Sequence, residues 1–229
     1  MRVESKITMI ICLSLDSDWA HPEITTFALE LLEREGVPFT FFATEDQSIF
    51  SSSLSEIAWH PNFERLNAYD ELKMFQNLFP EAKGLRPHRL SMPGDCLDAI
   101  QSSGIQWVSS HFDPDSKKIK SWKGVLPDIP IFWGDGLYLK FGAQPGLDKL
   151  EFEETDIVVI NFHPIHLFLN TSSMSHYQFA KIGYDNPCYL RNCINNEELG
   201  VRNILEYILE FSSNLKFLTI TDALDYLSK

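Results

Sequence analysis

The sequence predicts an α/β protein in which parallel strands alternate with helices, arranged as a barrel or a doubly wound sheet. Two observations lead to this fold class: short apolar segments typical of buried strands recur along the chain, and segments with helical periodicity lie between them. The length of 229 residues suits one domain of this class, so we expect residues 1–229 to form a single domain.

The predicted strands are short and mostly apolar. Ile7–Leu15 is continuously apolar, as expected for a strand that is covered on both faces. Pro38–Thr44 is rich in aromatic and β-branched residues, which favour strands. The remaining predicted strands are, in chain order, Glu56–Trp59, Ile105–Ser109, Pro130–Trp133, Asp156–Phe162 and Lys216–Ile220.

Helices are predicted from apolar periodicity and from residues that start or stop helices. Pro22 can open the first helix, and Gly36 can end it. The apolar residues between them recur at helical spacing on one face: Ile24, Phe27, Ala28, Leu31 and Leu32. Further helices are predicted for Leu66–Phe79, Asp95–Ser103, Asn196–Phe211 and a terminal segment capped by Thr221.

One long polar segment interrupts this alternation. Residues 171–198 are too many for an ordinary loop in a compact domain. We expect them to form either a partly structured insertion on the substrate side of the domain or a lid that covers the substrate.

Composition and charge exclude several classes of function. The chain has 32 acidic and 19 basic residues, and a net charge of −13 argues against a nucleic-acid partner. No apolar run approaches the ~20 residues of a membrane span. Ile7–Leu15 runs into Asp16 and Asp18 without a small-residue cleavage site, so we expect a cytoplasmic protein. These features do not predict an oligomeric state.

Polar residues that can do chemistry follow the predicted strands. The set comprises Asp16, Asp18, His60, Arg86, His88, Asp135, His163 and His166. In a parallel α/β architecture such positions gather at the carboxyl ends of the strands. Asp and His side chains are good ligands for zinc or a similar divalent metal, and three of them leave a coordination position for water.

Each of these residues also has an ordinary structural explanation when it is taken alone. Asp16 and Asp18 could cap the following helix, His60 could be a turn residue before a proline, and the residues around Arg86 could lie on a surface loop. Two histidines at one strand end, as in 163–166, are less common. The functional interpretation therefore depends on the occurrence of all these residues together.

At these positions the sequence resembles the NodB-type polysaccharide deacetylases. The strand ending of that family, T-F-D-D-G, is matched by Leu13–Asp18, and its A-T-F-F strand by Pro38–Phe42. The G-x-H, R-P and L-x-H motifs are matched by Ala58–His60, Arg86–His88 and Asn161–His163. The motifs occur in order over almost the whole chain, and the resemblance implies a distorted (β/α) barrel of the NodB type.

Further details resemble the divergent WbmS-like branch of these deacetylases, which is associated with surface-polysaccharide gene clusters. The matching motifs are D-x-D-W, H-P-N-F, R-x-H, F-W and F-H-P-I-H, at Asp16–Trp19, His60–Phe63, Arg86–His88, Phe132–Trp133 and Phe162–His166. The resemblance implies hydrolysis of an N-acetyl or O-acetyl group on a sugar of a surface-polysaccharide precursor. A nucleotide-linked or lipid-linked sugar is the expected substrate.

The sequence departs from the ordinary family pattern at three places, one of which is the R-P motif, where His88 and Arg89 follow Pro87 instead of an aromatic residue. Ser17 separates the two aspartates, and Glu64 stands where the ordinary motif has its second histidine. We infer that His88 supplies the missing metal ligand from the neighbouring loop, with Asp18 and His60 as the other two ligands and zinc as the expected ion. Glu64 remains a competitor for this role, because a carboxylate can also bind zinc.

The resemblance also implies roles in catalysis for four residues. Asp16 corresponds to the general base and His163 to the general acid. Arg86 would orient Asp16, and Asp135 would orient His163.

Three further residues are candidates for substrate binding. Trp19 and Trp133 offer rings that could stack on a sugar face, although both could equally be core aromatics. His166 could contact the substrate or support the site from behind.

Two other functions fit the same residues. One is a metal-dependent hydrolase of another small amide, since a fold does not fix a substrate. The other is a catalytically silent sugar-binding or scaffold protein, which the missing second histidine suggests.

Overall fold

The computed structural model describes residues 9–45, 54–94, 96–146, 156–210 and 215–228. Its strands are β1 (Met9–Asp16), β2 (Phe39–Ala43), β3 (Ser55–Trp59), β4 (Gly84–Leu85), β5 (Trp107–Val108), β6 (Lys120–Trp122), β7 (Leu126–Asp128), β8 (Ile131–Gly134), β9 (Ile157–Phe162) and β10 (Leu215–Phe217). Its α-helices are α1 (Pro22–Arg34), α2 (Ala68–Leu78), α3 (Leu97–Ser103), α4 (Asp135–Phe141), α5 (Pro164–Leu169), α6 (Met174–Ala180), α7 (Pro187–Asn192), α8 (Val201–Glu210) and α9 (Ile220–Leu227).

The strands form a distorted (β/α) barrel, which confirms the predicted fold class. The order of neighbouring strands is β6-β7-β5-β4-β3-β2-β1-β9-β8, and β10 pairs with the start of β1. All pairings are parallel except that of β6 with β7. A bridge between Phe112, just after β5, and Ile131 of β8 joins the two sides of the sheet into a ring.

Side-chain alternation along β1 separates two apolar clusters. Ile11, Leu13 and Leu15 pack in one cluster with buried residues of α1 and α8, on the outer face of the sheet. Ile10 and Cys12 point to the opposite side and pack against α9, which covers the other end of the barrel interior. Further along β1 the residues that face the barrel interior are polar, and they contribute to the polar end of the barrel.

Two element boundaries differ from the sequence prediction for a local reason. Helix α9 begins at Ile220, because Thr219 is its N-cap and accepts a hydrogen bond from the Asp222 amide. Thr221, the cap that the sequence predicts, lies two residues further on, and its amide donates to Glu56. Strand β10 therefore ends at Phe217.

The segment 171–198 contains helical structure that the sequence analysis did not locate. Helices α6 and α7 lie within it, and Ala180 and Leu190 pack into a cluster with Ile24 of α1 and Phe168 of α5. The Tyr184 hydroxyl donates to the Asp18 carbonyl at 3.2 Å, so the segment touches the polar end of the barrel. The single-domain boundaries and the insertion remain predictions.

Short helices after strand ends were also missed. Helices α4 and α5 have seven and six residues, which is too short for apolar periodicity to stand out. Over the described ranges, no helix is both long and apolar enough to cross a membrane.

The packing around Gly84 gives a test of the barrel interior. A Cβ atom at Gly84 would overlap the ring of Trp107, which is buried and holds Thr221 through its Nε1 donor at 3.0 Å. We expect Gly84→Ala to lower the free energy of unfolding by about 1–3 kcal/mol, because the indole has to move. Urea denaturation measures this loss.

A matched control is Gly136→Ala on α4, where no atom lies within 4 Å of the added methyl group. Alanine favours a helix over glycine by up to about 1 kcal/mol, so this variant should be at least as stable as the native protein. Equal stability of the two variants would contradict the proposed close packing at Gly84.

Candidate active site

A buried arginine lies beneath the polar end of the barrel. Arg86 follows β4 and has no exposed surface. Its Nη1 atom donates to Asp16 Oδ1 at 2.7 Å, to Asn161 Oδ1 at 2.6 Å and to Ser14 Oγ at 3.0 Å. Burial lowers the pKa of the Arg86 guanidinium, while the negative charge of Asp16 opposes this shift. The ion pair fixes the direction of the Asp16 carboxylate.

Asn161 completes the support of Asp16 and was not identified from the sequence. Its Nδ2 atom donates to Asp16 Oδ2 at 2.9 Å, so both carboxylate oxygens of Asp16 accept hydrogen bonds. Asn161 lies two residues before His163 and points to the same side of β9. Side chains alternate along a strand, so residues two apart face the same side, and a buried amide side chain needs a polar partner. The placement of Asn161 could therefore have been predicted from the sequence.

Three side chains bring potential metal ligands together above this layer. His60 Nε2 and His88 Nδ1 each lie 3.0 Å from Asp18 Oδ1, and the three donor atoms are all within 4.8 Å of one another. Separations near 3 Å are compatible with atoms that share one ion at metal–ligand distances of about 2.0–2.2 Å. The arrangement therefore fits a divalent metal with one carboxylate and two imidazole ligands.

A hydrogen bond at one ring nitrogen of His60 determines that the other nitrogen is free to bind a metal. His60 Nδ1 lies 2.9 Å from the carbonyl oxygen of Arg86, which can only accept a hydrogen bond. In the neutral ring Nδ1 therefore carries the proton, and Nε2 keeps its lone pair toward Asp18. Such an outer hydrogen bond is typical of histidines that bind metals.

Burial and hydrogen bonding act in opposite directions on Asp18. Burial alone would raise the pKa of the Asp18 carboxyl. The neighbouring rings of His60 and His88, together with the positive charge of His163, hold that pKa far below its usual value. Asp18 is consequently a carboxylate, the form that a metal requires.

The residue between the two aspartates has a structural role. Ser17 is buried, its Oγ lies 2.9 Å from Thr44 Oγ1, and the amide of Thr44 donates to the same Oγ at 3.0 Å. Asp18 and Trp19 then adopt positive φ angles of 45° and 53°, which are uncommon for residues other than glycine. The turn thus brings Asp18 back toward the side that Asp16 faces.

Glu64 lies outside the group of potential metal ligands. Its carboxylate is 3.3 Å from Arg89 Nη1, and its side chain is 54% exposed. The sequence left open whether Glu64 or His88 is the third potential metal ligand. Of these two side chains, only His88 reaches Asp18 in the structure.

His163 and Asp135 form a second hydrogen-bonded pair at the site. Asp135 Oδ1 is 2.8 Å from His163 Nδ1, and Asp135 Oδ2 accepts from the His163 amide at 2.7 Å. Nε2 of His163 faces Asp18 Oδ2 at 3.5 Å. Burial disfavours the protonated ring, but Asp135, with help from Asp18 and Asp16, raises the pKa of His163 to about 10. The ring is therefore protonated at neutral pH.

His166 lies behind His163 and not on the surface of the cleft. It is 8% exposed, its Nδ1 is 3.1 Å from Thr171 Oγ1, and its ring meets that of Tyr177. Burial lowers the pKa of His166 to about 4, so this ring is neutral. His166 also brings a nitrogen near Asp135 and His163, but both Asp135 oxygens are already engaged by His163.

The two tryptophans lie in different surroundings. Trp133 is 2% exposed, packs against Phe162 and donates to the Ala143 carbonyl at 2.8 Å, so its ring is part of the core and does not face the cleft. Trp19 is half-buried and stands edge-on to His88, with ring centroids 4.9 Å apart. Only Trp19 is placed beside the group of potential ligands.

A cleft of about 440 Å³ opens above these residues. Asp16, Asp18, His60, His88 and His163 all line it. The rest of the cleft lining, which carries no signal in the sequence, includes Leu90, Phe112, Leu137, Lys140 and Phe141. These residues carry no motif, and several come from the short helix α4.

Comparisons with known proteins agree with this architecture. A Bordetella bronchiseptica protein, assigned as a polysaccharide deacetylase involved in O-antigen biosynthesis, superposes with a TM-score of 0.76 at 25% identity, over 93% of each chain. A protein from Mycobacterium smegmatis, likewise assigned as a polysaccharide deacetylase, has a TM-score of 0.57 at 14% identity, over 100% of this chain and 93% of that one. A peptidoglycan N-acetylglucosamine deacetylase has a TM-score of 0.54 at 14% identity, over 95% of this chain and 89% of that one.

The barrel and the family match are those of a carbohydrate deacetylase-like hydrolase. The sequence profile of the WbmS-like polysaccharide deacetylases matches residues 13–181, and the chain belongs to that family. A search of curated proteins found no match.

The His163–Asp135 pair predicts a change in the pKa of one histidine. In Asp135→Asn the negative charge beside His163 is lost, so the pKa of His163 should fall below about 10, while Asp18 and Asp16 continue to favour the protonated ring. NMR titration of the imidazole resonances measures this change. If catalysis needs the protonated ring, the alkaline limb of the pH–rate profile should move to lower pH.

Asp98→Asn is the matched control, since Asp98 is an exposed residue of α3 outside the cleft. It should leave the titration of His163 unchanged. An unaltered pKa of His163 in Asp135→Asn would contradict the assigned electrostatic cause.

Proposed function

We propose that this protein is a metal-dependent hydrolase that removes the N-acetyl group from a sugar of a surface-polysaccharide precursor. The observation that carries the proposal is the convergence of Asp18, His60 and His88 on one point, beside the His163–Asp135 pair. The family membership supports a deacetylase reaction, and the O-antigen assignment of the Bordetella relative supports a surface-polysaccharide substrate.

Asp18, His60 and His88 would hold the metal, for which zinc is our first candidate because it favours mixed histidine and carboxylate ligands. A divalent ion held there supplies Lewis-acid chemistry, polarising a water and the carbonyl group of the acetamide. His60 is restrained by its hydrogen bond to the Arg86 carbonyl.

Asp16 is the proposed general base. It lines the cleft, and its two oxygens are held by Arg86 and Asn161. A carboxylate has further lone pairs beyond the two that these donors use, so Asp16 can still accept a proton from an attacking water. Arg86 and Asn161 act as positioning residues, since they fix the orientation of this carboxylate.

His163 is the proposed general acid. Its Nδ1 is engaged by Asp135, so Nε2 is the nitrogen that faces the cleft and can deliver a proton. An amine leaving group needs such a proton when the C–N bond breaks, which favours an N-acetyl over an O-acetyl substrate. Asp135 keeps the ring protonated and correctly oriented.

Release of acetate from N-acetylated sugars tests the proposed function directly. The native protein, reconstituted with zinc, should release acetate, while His163→Gln should retain its metal and lose about 10²–10⁴ in rate with the proton donor. The measurements are acetate production and metal content by elemental analysis. Cleavage of simple acetamides without cleavage of sugars would instead favour the small-amide hydrolase.

Metal content of two further variants tests the ligand set. We expect His88→Ala to lose metal and activity together, because a ligand nitrogen is removed. Glu64→Ala should keep both, since its carboxylate contacts Arg89. Full occupancy in His88→Ala together with an empty site in Glu64→Ala would reverse the assignment. Absence of metal in the native protein after reconstitution would favour a silent scaffold.

A further inference from the structure

Two cationic side chains line the cleft together with the proposed catalytic groups. Arg89 and Lys140 both belong to its wall, and both are exposed. They come from separate elements: Arg89 follows the potential ligand His88, and Lys140 lies on α4, which begins at Asp135. The cations are thus carried by the same short segments that carry the site.

The turn that carries Arg89 has an unusual backbone. Arg89 and Leu90 both have φ angles of 55°, in the left-handed region that residues with a side chain seldom adopt. Backbone hydrogen bonds hold the turn, from the Leu90 amide to Pro87 at 2.9 Å and from the Ser91 amide to His88 at 3.1 Å. Arg89 is therefore presented by a defined conformation of the chain.

The charges of both side chains are available to a ligand. Arg89 contacts Glu64 at 3.3 Å, but the two side chains are 69% and 54% exposed, and such pairs contribute little. Within the part of the chain that the structure describes, Lys140 has no carboxylate partner. An anion in the cleft would meet a guanidinium and an ammonium group that are not tightly held by other residues.

The remaining wall of the cleft is apolar. Leu90, Phe112, Leu137 and Phe141 line it, and Phe141 is 76% exposed. Aromatic side chains suit the apolar face of a sugar ring, whereas cations suit an acidic substituent. The cleft thus combines a surface for a sugar with two donors for an anion.

We propose that Arg89 and Lys140 bind a phosphate group of the substrate, so that the site acts on a glycosyl phosphate and not on a neutral glycan. The inference rests on the proposed function, because it places the sugar beside Asp18 and His163. A protein with a net charge of −13 repels an anion at long range, but solution ions screen this field beyond about 8 Å. The cations within the cleft therefore determine whether a phosphorylated or a neutral sugar binds more tightly there.

Calorimetric binding of two ligands tests the proposal without any turnover. N-Acetylglucosamine 1-phosphate should bind on the order of tenfold more tightly than N-acetylglucosamine, since it gains charge-assisted hydrogen bonds. Arg89→Gln and Lys140→Gln should each reduce this ratio severalfold. Lys73→Gln on α2 is the matched control, because it removes the same charge at an exposed position outside the cleft, and it should leave the ratio unchanged.

Glu64→Gln provides a gain-of-function variant. It removes the carboxylate that contacts Arg89, so the phosphate ligand should bind more tightly than to the native protein. Equal binding of the phosphorylated and neutral sugars, or equal losses in Lys73→Gln and Lys140→Gln, would overturn the inference. Acetate release is measured in parallel and tests the proposed function independently of phosphate binding.

Two further ligands distinguish the sources of the phosphate. UDP-N-acetylglucosamine represents a nucleotide-linked sugar, and a short prenyl diphosphate of N-acetylglucosamine represents a lipid-linked sugar. If either ligand binds more tightly than the neutral sugar, and Lys140→Gln removes this difference, the result supports the proposal. It also identifies whether the sugar is linked to a nucleotide or to a lipid. Tightest binding of the neutral sugar contradicts it.

Discussion

The buried guanidinium of Arg86 is the constraint on which the polar end of the barrel depends. A charge without exposed surface is costly unless ion pairs and hydrogen bonds replace its water. Asp16 supplies the opposite charge and shares Arg86 Nη1 with Ser14 and Asn161, while Ser109 accepts from Nε and Nη2. These partners come from β1, from β9 and from the residue after β5, so the charge at the end of β4 ties the strand ends together.

The same arginine sets the geometry of both halves of the candidate site. Its side chain fixes Asp16, and its backbone carbonyl accepts from His60 Nδ1 at 2.9 Å. One residue therefore orients the proposed base through its charge and a potential metal ligand through its main chain. Loss of the side chain would leave Asp16 buried without its counter-ion, a change that costs several kcal/mol in comparable buried pairs. Stability and site geometry are coupled at this position.

Much of the fold followed from the sequence because buried parallel strands leave a strong local signal. Strands β1, β2, β3 and β9 were located within a few residues of their observed bounds. The cleft wall was not predicted, since α4 and the loop that carries Arg89 have no periodicity and depend on packing. The meeting of strand ends in a barrel grouped the polar residues, and the family resemblance selected Asp18, His60 and His88 among them, whereas their separations required coordinates. The orientation of Trp133 could not be predicted, because the sequence does not indicate which way an aromatic ring near a strand end points.

The departures from the ordinary NodB pattern form one connected rearrangement. Ser17 is buried against Thr44, and the positive φ angles after it return Asp18 to the cleft. Glu64 lies on the surface against Arg89, and the adjacent His88 reaches Asp18 at 3.0 Å. The proposed metal ligand His88 and Glu64, which stands where the ordinary motif has its second histidine, thus meet through the contact of Glu64 with Arg89. Residues 88 and 89 therefore link the proposed metal ligand to one of the two cations that line the cleft.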